Sequence, residues 1–367
     1  MTNSSFTRID VPAPVEPYQY ISVDGVDAAG EAVGNYGSVD GDGDGTFYGF
    51  VATGSNGTPS DPPGSSNTDI VGITSGGEIF GDYVDYENRQ HGFVESNGVV
   101  TKVDVLLANS TTVSGVNSVG LIYGSYADAE NGVHGFFENN GVFTPVDVPG
   151  ANSTSVAGIS AAGTIVGTYT DAANVAHGFA DNGGTVQTFD PAGSISTSVV
   201  GISDTGEIVG NYQDSSNNTW GFVDSNGIIS RINIAGATSV GVSAVNSGGE
   251  IVGYYVDGSS NVHGFIDKGG VVGTVDVPGA TETDIVGIND DGVISGFYND
   301  GSGNQHGFAG TIATVLIGTS ATTDLVQLGD NYFLDGKSTG TGPEVMFGSA
   351  PLTPGEYGWT PIGAVET

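Results

Sequence analysis

Cysteine is absent from this 367-residue chain. That excludes a disulfide framework, a zinc–thiolate centre and a thiol nucleophile. Basic side chains are nearly absent too. Six Lys and Arg stand against 42 Asp and Glu, a formal net charge of −36. So acidic a surface repels nucleic acid and anionic membrane, stays soluble and gains from bound cations. No run reaches the roughly 18 apolar residues of a membrane-spanning helix. The opening Met1-Thr2-Asn3-Ser4-Ser5 lacks the basic and apolar regions of a Sec leader. That leaves a cytoplasmic location, export by a route that reads the C-terminus, or a leader outside this sequence. Windows of helical period rich in Ala, Leu, Glu and Lys are missing as well. Short Val/Ile/Tyr/Phe runs occur instead, punctuated by Asn, Asp, Ser and many of the 63 glycines. That composition is all-β.

A phrase recurs at a fixed spacing of 43 residues. Its Gly-Phe phenylalanines are Phe50, Phe93, Phe136, Phe179, Phe222, Phe265 and Phe308. We number the repeats 1 to 7 by these residues. A fixed period means partial units that must stack to bury their apolar faces. Each unit reads as four short strands joined by Asx/Gly turns. The second strand carries a tyrosine, from Tyr36 to Tyr298, and a glycine two residues before it. A small residue at that place fits close approach of a neighbouring sheet. Four strands in 43 residues is the size of one β-propeller blade. Repeat 7 lacks the Val-Asp-Val-Pro phrase of the fourth strand, and a relative of it stands at the N-terminus, Phe6-Thr7-Arg8-Ile9-Asp10-Val11.

The expectation is an all-β, seven-bladed β-propeller over residues 1–316. Its N-terminal strand closes the last blade, which removes two exposed sheet edges. Thr314-Val315-Leu316-Ile317 is the alternative fourth strand. A short C-terminal β segment follows over 317–367.

The phrase Gly-Ile-x-x-x-Gly-x-Ile-x-Gly-x-Tyr-x-Asp…His-Gly-Phe resembles the bacterial extracellular HAF-repeat family, over residues 6–316. The resemblance implies a secreted, propeller-like protein and no defined biochemical role. The tail, with Asn331-Tyr332-Phe333 and Trp359-Thr360-Pro361-Ile362-Gly363-Ala364, looks like the start of a module of large secreted calcium-binding-repeat proteins. The nonapeptide calcium repeat of those proteins is not in this sequence.

All five histidines, His91, His134, His177, His263 and His306, precede a Gly-Phe. Tyr48 and Trp220 fill that slot in repeats 1 and 5. An Asp stands six residues earlier in six repeats, from Asp85 to Asp300. One His and one Asp are too few for a structural metal site. The pair reads as a staple across the turn between the second and third strands. A second series, Asp61, Asp104, Asp147, Asp190 and Asp276, reads as carboxylates accepting turn N–H groups.

Departures from the repeat point to function, since the fold needs only its consensus. Repeat 1 has two insertions: Pro12 to Tyr20 before its first strand, and Ser38 to Gly45 in the turn after its second. In a propeller both lie on one face. Asp40, Asp42 and Asp44 match the opening of a calcium loop, where alternate side chains point at one hard cation. Val51 stands where an EF-hand needs Glu, so calcium here means a looser loop, and a solvated turn is the alternative. Tyr18, Tyr20, Phe47, Tyr48 and Trp220 offer aromatic surface on or near that face for stacking on sugars or peptide side chains. Turn residues covering a blade edge is the plainer reading of all five.

Three functions fit. The first is a secreted, non-catalytic binding or adhesion propeller that meets an extracellular polysaccharide or surface protein. The second is a propeller enzyme acting on polysaccharide. The third is a structural spacer.

Overall fold

The computed structural model describes residues 6–11, 20–39, 45–311, 324–328 and 331–335. Every described residue in regular structure is β-strand, and each of repeats 1 to 6 forms a four-stranded antiparallel meander in sequence order. Repeat 2 is representative, with strands Ser65–Ile73, Ile79–Asp85, Gln90–Ser96 and Val99–Val103. Repeats 3 and 4 are joined at one point by the parallel pair Val133 and Ser153.

In repeat 7 the fourth place is taken by the N-terminal strand Thr7–Ile9. It runs antiparallel to Gln305–Thr311, with Thr7 opposite Ala309 and Ile9 opposite Gly307. Residues 314–317, the alternative fourth strand, lie outside the described residues. Of the tail, a hairpin of Asp324–Leu328 with Asn331–Asp335 is described.

The sheets are held by what lies between them. The seven Gly-Phe phenylalanines are all fully buried. The cores they anchor are shared by neighbouring repeats. Val209, Trp220 and Ile232 of repeat 5, for example, pack with Val240, Ile251 and Phe265 of repeat 6. Burying one such ring is worth about 1.5–3 kcal/mol.

The ends of the series meet. The first strand of repeat 1, Tyr20–Val26, packs against the sheet of repeat 7. Its Ile21 N–H donates to Gln305 Oε1 at 2.9 Å, and Asn289 Nδ2 donates to the Asp27 carbonyl at 3.0 Å. Residues from the first strands of all seven repeats line one central cavity of about 390 Å³.

The glycine of the second strand has a different cause from the one expected. Each first strand carries a β-bulge, as between Ile70 and Gly72 in repeat 2. The bulge drives a carbonyl of the same sheet onto the glycine. A Cβ on Gly81 would stand 2.1 Å from the Asp69 oxygen, and one on Gly167 2.0 Å from the Ser155 oxygen. The close neighbour is therefore the glycine's own first strand, not the next sheet.

One turn breaks the pattern. Between the fourth strand of one repeat and the first of the next, Gly150, Gly193, Gly236 and Gly279 take φ between 82 and 86°. Leu107 holds the same place after repeat 2 with φ 68°. The left-handed region costs a Cβ-bearing residue about 1–2 kcal/mol. Leu107 and Leu106 are both more than 80% exposed, so no burial offsets that cost. Leu107→Gly is expected to raise the unfolding free energy by about 1 kcal/mol, read as a shift of the denaturant midpoint at constant slope. An unchanged or lower midpoint would contradict the assignment of strain.

Candidate functional site

The turns between second and third strands close on themselves. In repeat 2, Asp85 Oδ1 accepts the N–H groups of Glu87 and Arg89 at 2.8 and 2.9 Å. Asp128, Asp171, Asp214, Asp257 and Asp300 each do the same two and four residues on. The other carboxylate oxygen reaches the His slot. Asp85 Oδ2 stands 3.1 Å from His91 Nε2, and Asp214 Oδ2 accepts the Trp220 indole N–H at 2.9 Å. The two turn N–H groups and the His91 contact hold the Asp85 carboxyl down at about 2.

The second aspartate series has another partner than the expected turn N–H. His91 Nδ1 faces Asp104 at 3.0 Å, His134 Nδ1 faces Asp147 at 3.0 Å, and His177 Nδ1 faces Asp190 at 2.7 Å. His263 meets Asp276 likewise at 2.9 Å. Each of these imidazoles lies between two carboxylates. The hydrogen bond that His177 donates to Asp190 raises the His177 pKa, a preference for the doubly protonated ring. Asp61, in the repeat without a histidine, accepts a backbone N–H from Gly49. Among the described residues no group of three or more His, Asp or Glu is placed to hold a metal ion.

A second device ties sheet to sheet. Asn35 stands one residue after the conserved glycine of repeat 1. Its Nδ2 donates to the Ile70 carbonyl and its Oδ1 accepts the Ile70 N–H, both at 2.8 Å. Asn211 grips Val242 of repeat 6 in the same way, at 2.9 and 2.8 Å. Asp82 occupies this place in repeat 2, and its Oδ1 accepts the Val113 N–H at 2.8 Å. Burial raises the Asp82 carboxyl to about 7, helped by the charge of Asp69 and opposed by the Val113 N–H.

Between repeats 1 and 2 lies a recess of about 420 Å³. Its aromatic wall is Tyr20, Phe47 and Tyr83, and its polar groups come from Asn35, Asn67, Gln90, Asp69 and Asp82. The Tyr20 and Phe47 rings meet edge to face with centroids 5.5 Å apart. Tyr20 ends one insertion of repeat 1 and Phe47 stands just beyond the other. The hairpin carrying Phe47 continues to the pair Val39–Gly45, while that of repeat 2 ends at Val84–Gln90. Below the rings, Asn35 Nδ2 reaches Asp24 Oδ2 at 2.8 Å and Asp69 Oδ1 at 2.9 Å. Burial lifts the Asp24 carboxyl to about 7, and the protein packed around the Asp69 carboxyl, which keeps one side open to the recess, raises it as well by displacing water.

Of the residues singled out from sequence, Tyr20 and Phe47 are brought together here. Tyr48 is placed elsewhere, 5.5 Å from Tyr36 in the stack that Tyr–His pairs form in other repeats. Trp220 is buried in repeat 5, its indole N–H held by Asp214 and one face covered by Arg231 at 3.2 Å. Tyr18, Asp40, Asp42 and Asp44 lie outside the described residues. Asn67, Asp69, Asp82, Tyr83 and Gln90 were not singled out. Their only signal is that they face repeat 1 from the repeat that follows its insertions.

No protein-family model matches the sequence, and neither does any curated protein sequence. Among solved structures, the chain is similar to the β-propeller domain of the Trilobed protease from Pyrococcus furiosus. The TM-score is 0.56 at 10% identity, over 80% of this chain and 95% of that one. It is also similar to the BP39L lectin from Burkholderia pseudomallei, with TM-score 0.46 at 10% identity, over 86% and 98% of the two chains. TolB from Acinetobacter baumannii gives 0.43 at 13% identity, over 77% and 81%. The first of these likenesses shows a β-propeller fold and nothing of activity.

Proposed function

We propose that the chain is a seven-bladed propeller, closed by its N-terminal strand, that binds an extracellular glycan without chemical turnover. Seven four-stranded units, packing of repeat 1 on repeat 7 and a cavity lined from all seven repeats support the blade count. The observation that carries the binding role is the recess. It lies where Tyr20 and Phe47, which flank the two departures from the repeat in sequence, meet, and it combines aromatic faces with amides and carboxyls. Aromatic faces suit the C–H side of a pyranose, and planar polar groups suit its hydroxyls. Secretion and attachment at a bacterial surface, implied by the HAF-repeat resemblance, belong to the same proposal. Finding the native chain only inside the cell would remove that part. Calcium at Asp40, Asp42 and Asp44, next in sequence to the hairpin carrying Phe47, belongs to the proposal as well.

A glycan array followed by titration tests the reading. Tyr20→Ala and Phe47→Ala are each expected to weaken the best glycan about tenfold, which is about 1.4 kcal/mol, with melting unchanged. Chelating calcium is expected to weaken it too. An array without hits, or hits indifferent to both substitutions, removes the proposal. Release of reducing ends from a bound polymer favours the enzyme instead.

A further inference from the structure

We propose that the recess selects a glycan bearing free amino groups, such as a de-N-acetylated hexosamine polymer, over its neutral and acidic counterparts. This rests on the glycan-binding reading above. Among its described lining residues the recess has two carboxyl groups, Asp69 and Asp82, and no basic side chain. Asp69 is exposed to the recess. Its Oδ1 is held by Asn35, and Oδ2 has no hydrogen-bond partner among the described residues. Asp82 Oδ1 is likewise spent on the Val113 N–H.

The basic side chains of repeat 2 are already engaged, with His91 between Asp85 and Asp104. Arg89 pairs with Glu87 at 2.6 Å, and Lys102 with Asp104 at 3.0 Å. A uronate or sulfate ester would bring a negative charge beside two carboxyls, with no basic side chain among the described lining residues to meet it. An N-acetyl group would leave the Asp69 oxygen without an ionic partner. An ammonium meets both requirements, and the adjoining Tyr20, Phe47 and Tyr83 faces attract a cation as well. The net charge of −36 works in the same direction at longer range.

Three tetrasaccharides of matched length decide it at pH 6 and fixed ionic strength, where most glucosamine amines are protonated. They are β-1,4-linked glucosamine, its fully N-acetylated form and an oligouronate. By calorimetric titration the amino form is expected to bind at least about tenfold more tightly than the N-acetylated form, and the oligouronate not to bind. Asp69→Asn is expected to cut the preference to within about threefold while the N-acetylated form still binds. Glu130→Gln, exposed on repeat 3, is expected to leave the preference unchanged. Equal or tighter binding of the N-acetylated form or the oligouronate overturns the amine assignment and leaves glycan binding standing. So does an equal loss of preference in Glu130→Gln, which would make the effect one of net charge. Binding of none of the three overturns both. Tetralysine binding more tightly than any sugar overturns the glycan class in favour of a cationic peptide.

Discussion

At pH 8 the Asp82→Asn variant is expected to melt roughly 3–8 °C above the parent chain, and near pH 4 the two are expected to coincide. The reasoning comes from Asn35 and Asn211, whose amides accept a backbone N–H and donate to the carbonyl of the same residue in the next sheet. A protonated Asp82 can do both. An ionised one only accepts, and it is 5% exposed beside Asp69. The folded pKa of about 7 lies above the ordinary aspartate value of about 3.8. The native state therefore holds the proton more tightly than the unfolded chain. The stabilisation is fully present below the unfolded value and is lost as pH rises through the folded one. Each pKa unit corresponds to about 1.4 kcal/mol, so the gain from asparagine at pH 8 is on the order of 2–4 kcal/mol. Asp24 and Asp284 are raised to about 7 as well, so the parent keeps a further slope. The difference between variant and parent isolates Asp82. A variant less stable at pH 8, or one with the parent's full slope, would contradict the clamp.

Removing residues 1–11 is expected to have a larger effect still. Ile9 and Val11 are 2% and 4% exposed, and the Phe6 ring meets Phe308 edge to face at 5.4 Å. The segment also reaches the sheet of repeat 1. Asp10 N–H donates to the Ser55 carbonyl at 3.0 Å, and Gly57 N–H donates to the Asp10 carbonyl at 2.8 Å. Burial of two aliphatic side chains and one aromatic is worth about 5–8 kcal/mol, a large part of the 5–15 kcal/mol that holds an ordinary domain. The edge of Gln305–Thr311 would be left unpaired as well, and open edges aggregate. The truncated chain is expected to lose its cooperative melt or to form soluble aggregates. A synthetic peptide of residues 1–11 added in trans is expected to restore the melt. A truncated chain that melts like the parent would place closure elsewhere in the sequence.

Much of the architecture could be read without coordinates. The 43-residue spacing marked four strands per unit, and the missing phrase after Phe308 pointed to the N-terminal strand that pairs there. The Asp85–His91 staple followed from a constant six-residue separation. Its second half did not. Asp104 stands 13 residues after His91, and Asp147 the same distance after His134. Taken alone, each aspartate looked like a turn acceptor. The constant offset between the two series was the available signal. The glycine beside each tyrosine was misassigned because a bulge in a strand leaves no mark in composition. That Tyr48 and Trp220 share the His slot was legible from the spacing; how firmly Tyr36 and Asp214 hold them there was set by packing. The recess was half legible. Tyr20 and Phe47 stand at the departures of repeat 1, whereas Asp69 and Asp82 belong to a repeat with no insertion. Only packing brings them to the same place.

The self-closing turns have a consequence for how such a chain can change. Because Asp85 and its five counterparts hold their own loop's N–H groups, the backbone of each tip is set within the loop, and the outside ties are to later loop residues such as Asn131 and Asn174. Tyr86 is 81% exposed at one of them, where Ala129, Ala172, Ser215, Gly258 and Gly301 stand in the others. Six positions on one side of the molecule can thus diversify independently. The chain is built like a display scaffold, able to acquire a new specificity at one tip without renegotiating the other five.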